Sequence, residues 1–211
     1  MEIAIQGIKG SYSYQAAILF IKELRKTGIN KIKINYFKSF DELLKEFKDL
    51  AIVPVENSLI GSIYNNYKRI LESNFFILAS LNLKIEHALL GNTKDIKEIK
   101  TVYSHPIALE QCKDFLKKSK LKTKSYTDTA SAALFVSKKQ RKELAAIASP
   151  ICAKLFNLKI IRKNIQDNSS NFTRFFLISR RILSLKSKGK TITPFLFELL
   201  ILKNLSLINL F

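Results

Sequence analysis

Tryptophan is absent from this 211-residue sequence, which holds one methionine, two histidines, two cysteines, four prolines and six glycines. Two cysteines, Cys112 and Cys152, with no histidine or second cysteine at ligand spacing, argue against a disulfide framework and against a metal site. Both read as reduced packing residues of a cytoplasmic protein, and no metal ligand is assigned. No apolar run is long enough to cross a bilayer, although the tail comes closest, so no membrane partner is expected. The opening "MEIAIQGIKG" lacks the charged-then-apolar layout of a signal peptide and reads directly as a strand. Scarce glycine, proline and tryptophan beside abundant lysine, isoleucine and asparagine is the joint bias that an AT-rich coding sequence imposes.

Apolar residues make up 47% of the chain, which excludes a disordered protein and supplies a real core for one large domain or two small lobes. The formal charge of +19 invites a nucleic-acid reading. Against it, the basic residues are spread over nearly every segment, most are lysine, and no DNA- or RNA-reading motif accompanies them. A solvated, compositionally biased surface is the plainer account, and no nucleic-acid partner is expected.

Strands and helices alternate, which predicts an α/β fold of mainly parallel sheet. Strands are expected at Glu2 to Ile5, Lys33 to Phe37, "DLAIVPV", "KTVYSH", "KTKSY", "ELAAIAS" and "SSNFTRFFLIS", Ser169 to Ser179. Amphipathic helices are expected over Tyr12 to Lys26, behind the capping box of Ser39 and Glu42, and near Ile63 to Glu72. Three more follow: "PIALEQCKDFLKK" with Pro106 in its first turn, "TDTASAALFVSKK" capped by Thr127 or Asp128, and "PICAKLF" behind a serine cap.

Several strands end in short polar groups just before a helix: "GIKGS", "VENS", "YSHP", "TDTAS" and "NFTRF". Carboxyl ends of strands are where open α/β sheets bind ligands, and helix N-termini there offer unpaired N–H groups suited to a small carboxylate. Taken singly, each cluster is explained as a helix cap. Thr173 and Arg174 stand out because they interrupt a run of phenylalanines; the guanidinium must reach solvent or meet an anion.

The succession "GIKGSYSYQAA", "VPVENSLIGSI", "YSHPIALEQCKDFL", "TDTASAA" and "NIQDNSSNFTRFFLIS", in this order, resembles the catalytic domain of the prephenate dehydratase family from Met1 to about Ser179. The resemblance implies two α/β lobes of the type II periplasmic-binding-protein kind around a central cleft. The first lobe would hold residues 1 to about 76 and 160–179, the second about 77–159. It implies removal of water and carbon dioxide from prephenate, a small dianion, to give phenylpyruvate on the way to phenylalanine, with no cofactor.

By the same resemblance Thr173 is the catalytic residue, a hydrogen-bond donor to the departing hydroxide or its proton donor. Arg174 and Phe175 complete that motif as substrate contacts. A regular strand would turn Arg174 to the opposite face from Thr173, where it would pair with Asp128 or Glu56 instead. Asn57 and Ser58 would offer neutral donors to a carboxylate while Glu56 orients a neighbour and Gly61 allows close backbone approach. Ser104 and Gln111 match the family's Ser-His-Pro…Gln pattern, Gln111 lying two turns into its helix; a helix cap is the other reading of Ser104. His105 tempts an acid/base role that the motif gives to Thr173, and His87 reads as a packing residue. Thr127 and Thr129 would bond a carboxylate, Ala130 would let it approach, and Asp128 would cap or pair with a cation. Gly10 and Ser11 support the first motif, in which Ile8 replaces the family's proline.

The segment 180–211 resembles the first strand and helix of a phenylalanine-binding ACT domain of ferredoxin-like fold, with the effector turn altered to "KGKTITP" and the later Glu-Ser-Arg-Pro segment missing. Lost or weak feedback inhibition is expected. Phe195 to Phe211 would then pack on a partner subunit as a homodimer, or be left without function. A rival reading from another class keeps the two lobes as a small-anion binding module without turnover.

Overall fold

The computed structural model describes residues 1–181 and, beyond them, the backbone of Leu185–Ser187 paired antiparallel with Lys190–Ile192. The expectations for the ACT-like segment and for Phe195 to Phe211 lie outside the described side chains.

The first half of the chain runs β1 (Glu2–Gln6), α1 (Tyr12–Lys26), β2 (Lys33–Phe37), α2 (Phe40–Glu46), β3 (Leu50–Asn57), β4 (Gly61–Ser62), α3 (Tyr64–Glu72) and β5 (Phe76–Lys84). The second half runs β6 (Ala88–Gly91), β7 (Thr101–Ser104), α4 (Pro106–Glu110), α5 (Lys113–Lys118), β8 (Lys122–Ser125), α6 (Thr129–Lys139), β9 (Leu144–Ala148), α7 (Ile151–Leu155), β10 (Lys159–Arg162) and β11 (Phe172–Ser179). One sheet has the order β2-β1-β3-β11-β5 with β4 attached to β3; the other has the order β10-β6-β9-β7-β8. Helices cover both faces of each. In the first sheet, Ile3, Ile5, Ile52 and Leu177 pack against Phe20 and Leu24 of α1, and Ala51, Val53 and Ile178 pack against Leu43 of α2 and Ile70 of α3. The near-continuous apolar run of β3 follows from burial on both faces.

Three expectations need correction. The sheets are mixed, not mainly parallel: β3–β11, β11–β5, β6–β9 and β6–β10 are antiparallel. The expected lobe boundaries move, because "FFILASLNLKIEHALLG" contains two strands. Its first, β5, pairs with β11 along its length and so belongs to the first sheet, whereas Lys159–Arg162 pairs with β6 in the second. The chain therefore crosses between sheets at 85–87 and again at 163–171. Finally, the helix expected through "PIALEQCKDFLKK" is two short helices, with Gln111 capping the first and Cys112 starting the second.

Gly10 lies where the two halves touch. Its φ is +97°, and a Cβ there would sit 2.9 Å from Cys152 Sγ, which donates to Gly10 O at 3.3 Å. Gly10→Ala is expected to destabilise by more than about 1 kcal/mol, since the conformation is unfavourable to L-residues and the thiol must shift as well. Urea unfolding followed by circular dichroism measures it.

Candidate active site

A cavity of ≈ 220 Å³ opens between the two sheets. Four segments on the side of the first sheet reach it: Gly7 after β1, Ser11 and Tyr12 at the start of α1, Asn57 at the end of β3, and Thr173 with Phe175 on β11. From the other side come His87 in the first crossover, His105 and Gln111 at the two ends of α4, and Asp128 and Thr129 at the start of α6. Ser11 Oγ accepts from Tyr14 N and Asp128 Oδ1 from Ser131 N, so both helix starts are properly capped and open toward the cavity. No lysine or arginine lines it among the described residues.

Thr173 and Asn57 are cross-strand partners beside a β-bulge, where Arg174 pairs with Glu56 but Phe175 already faces Pro54. Asn57 Oδ1 accepts from the backbone N–H groups of Leu59 and Ile60 at 3.0 and 3.3 Å. That bond fixes which end of the amide is which. Asn57 Nδ2 then donates to Thr173 Oγ1 at 3.0 Å and to Asn171 Oδ1 at 2.8 Å. Because Thr173 Oγ1 is the acceptor in this bond, its own proton is not spent there, and among the described residues nothing accepts it.

The structure brings Thr173, Phe175, Asn57, Gln111, Thr129, Asp128 and Ser11 together at the cavity. Others expected to touch a substrate do not reach it. Arg174 alternates to the far face, as a regular strand requires, and is paired with Glu56 at 3.2 Å and with Asn82 Oδ1 at 3.3 Å. The guanidinium in the phenylalanine run thus meets a carboxylate of its own chain. Glu56 holds that arginine and faces away from the cleft. Ser58 is a strand tie, donating to Ser170 O and accepting from Phe172 N. Ser104 is fully buried and donates to Ile147 O at 2.6 Å; it neither caps α4 nor lines the cavity, because the strand turns it into the sheet. The cap of α4 is His105, whose Nδ1 accepts from Ile107 N at 3.3 Å. Thr127 is exposed ahead of the α6 cap, and Ala130 is buried in the core beneath α6. Gly61, the exposed first residue of β4 just after the turn at 58–60, has φ +80° with open space around it, so it serves the bend. Gly10 packs on Cys152 instead of the cavity.

Tyr12, His87 and Asn171 are the functional candidates that the sequence reading passed over. Tyr12 Oη lies 2.9 Å from His87 Nδ1, and His87 Nε2 lies 2.9 Å from Gln111 Oε1. Asn171, with no exposed surface, donates to that same Gln111 oxygen at 3.1 Å. A polar residue in an apolar run is a weak signal alone; "IEHALL" and "SSNFTRF" both carry it.

Burial pushes the His87 pKa down, with the Gln111 bond acting against the shift, and burial also lowers His105 against the pull of Asp128. Both rings therefore take up a proton less readily in the fold than in the unfolded chain, whose histidines titrate at about pH 6.5. Below that pH the unfolded state binds more protons, so stability is full above it and declines as pH falls toward the folded values. Melting temperature is expected to drop between pH 7 and pH 5, and His87→Gln to reduce that slope.

Fold and cavity together define a two-lobed α/β protein whose cleft is built from strand ends, helix starts and neutral hydrogen-bonding groups. A model of the prephenate dehydratase family matches residues 3–182. Arogenate dehydratase 2 of Petunia hybrida is 36% identical over 182 residues, covering 85% of this chain and 45% of that protein. Prephenate dehydratase of Methanocaldococcus jannaschii is 36% identical over 177 residues, covering 82% and 63%. Among solved structures, GqqA, described as a quorum quenching acylase, superposes with a TM-score of 0.73 at 30% identity, over 88% of this chain and 66% of that one. Prephenate dehydratase of Staphylococcus aureus superposes with a TM-score of 0.72 at 26% identity, over 86% and 67%. The chain belongs to the prephenate dehydratase family. It spans about half the length of several curated relatives that it matches.

Proposed function

We propose that this chain converts prephenate to phenylpyruvate, with Thr173 as its catalytic residue. The ring carboxylate leaves as carbon dioxide, its bonding electrons enter the ring, the ring C–O bond breaks, and the departing hydroxide takes up a proton and leaves as water. Restored aromaticity drives the step, so the protein has to hold a dianion and ease the departure of one oxygen. The observation that carries this reading is the Asn57–Thr173 bond, which leaves the threonine proton free for that oxygen. An aliphatic hydroxyl is a poor acid, so its contribution is a hydrogen bond to developing charge. The carboxylates are received by neutral donors and by the starts of the 15-residue α1 and the 11-residue α6, whose dipoles favour anions.

Arogenate, which carries an ammonium where prephenate has a carbonyl, is a second reading. Two observations favour it: the names of the plant relatives and the carboxylate of Asp128, the one acidic side chain in the described cavity wall. Incubating the purified chain with each compound decides the matter. Phenylpyruvate from prephenate is the expected product; phenylalanine formed from arogenate at a higher kcat/KM would transfer the assignment to that substrate. Absence of both products would leave the anion-binding reading.

A further inference from the structure

We propose that His87 is a positioning residue for this reaction, holding the Gln111 amide so that its NH₂ group faces the cleft. The proposal rests on the reading of the cleft as the reaction site. Its basis is a chain of hydrogen bonds whose directions are fixed from one end. Backbone N–H groups can only donate, so the atom of Asn57 that meets Leu59 and Ile60 is the oxygen. Asn57 Nδ2 therefore faces Asn171, whose facing atom at 2.8 Å must be Oδ1. Asn171 Nδ2 in turn faces Gln111 at 3.1 Å, and that atom must be Oε1. The same oxygen lies 2.9 Å from His87 Nε2, so this nitrogen carries a proton. In a neutral ring Nδ1 is then bare, and the single proton of Tyr12 Oη, 2.9 Å away, is shared between this nitrogen and Glu86 O at 2.8 Å.

With both donors on its oxygen, Gln111 turns its nitrogen the other way. Gln111 lines the cavity, and nothing among the described residues accepts from that NH₂. It is a donor prepared for a ligand oxygen. The position of Gln111 makes the support necessary: it stands at the break between α4 and α5, where no continuing helix fixes its side chain. His87 and Asn171 belong to the two crossovers between the sheets, so the network also ties the Gln111 side of the cleft to the Thr173 side.

Two measurements test this. Imidazole ¹⁵N NMR of the wild-type chain reads the tautomer whether or not prephenate turns over: a neutral ring protonated on Nε2 is expected, and protonation on Nδ1 alone overturns the proposal. In turnover, His87→Phe keeps a ring against Tyr12, whose edge-on contact has centroids 5.6 Å apart, but donates nothing. It should lower kcat/KM by about tenfold, the worth of one net hydrogen bond, while His87→Gln, which keeps a donor, should recover most of it. In a Gln111→Ala background His87→Phe should have no further effect. An equal loss in both backgrounds, or a glutamine variant as slow as the phenylalanine one, would make His87 a packing residue only. A wild-type chain with no turnover would defeat the proposed function and leave the tautomer to decide this inference.

Discussion

Thr173→Val is expected to leave the fold in place and slow phenylpyruvate formation by about 10²- to 10³-fold, the loss usual for one donor aimed at developing charge. Valine has the same shape, and the buried site already accommodates a β-branched residue on a strand. Asn57 Nδ2 keeps two other acceptors, Asn171 Oδ1 and Phe172 O, so the cost to stability is about 1 kcal/mol. Because the donor acts on the leaving oxygen more than on the bound ground state, kcat carries the loss and KM changes little. Thr173→Ser, which retains the hydroxyl, should keep most of the rate. Steady-state kinetics beside urea midpoints separates lost chemistry from lost fold.

Asn57→Asp should be comparably damaging although it replaces one atom. The retained oxygen still receives Leu59 and Ile60, but the new one faces Asn171 Oδ1, Phe172 O and Thr173 Oγ1 at 2.8, 3.1 and 3.0 Å. Thr173 can satisfy it only by turning its proton away from the cavity. Turnover is expected to fall by about 10²-fold or more for the same reason as in Thr173→Val. The buried carboxylate, set among oxygens, also has its pKa raised above the unfolded value. Stability is then retained at low pH and lost as pH rises through the folded pKa, so the variant should unfold at lower urea at pH 7 than at pH 5, by about 1–3 kcal/mol. The histidines give the wild-type chain the opposite trend, which makes the comparison diagnostic.

Most elements were legible in the sequence because their signals are local. The Ser39 cap, Pro106 in a first turn and the apolar period of Tyr12 to Lys26 reappear at the expected residues. Strand pairing was not legible, since β5 and β6 sit in one apolar stretch and a single turn at 85–87 sends them to different sheets. Alternation offers Arg174 the far face, and of the two partners expected for it, Asp128 and Glu56, it meets Glu56. Ser58, Ser104 and Ala130 failed as contacts because adjacent residues in a motif point in different directions once strand and helix geometry are imposed. His87 was passed over because an apolar neighbourhood says nothing about where two ring nitrogens will find partners 24 and 75 residues away.

In the proposed reaction Asn57 acts through the proton of Thr173. A double-mutant cycle on kcat for prephenate, combining Asn57→Asp with Thr173→Val, tests it most directly. Non-additive losses are predicted, with the double variant no slower than the slower single one. Losses that multiply would show that the two residues act independently, and the account of the cleft would be wrong at its centre.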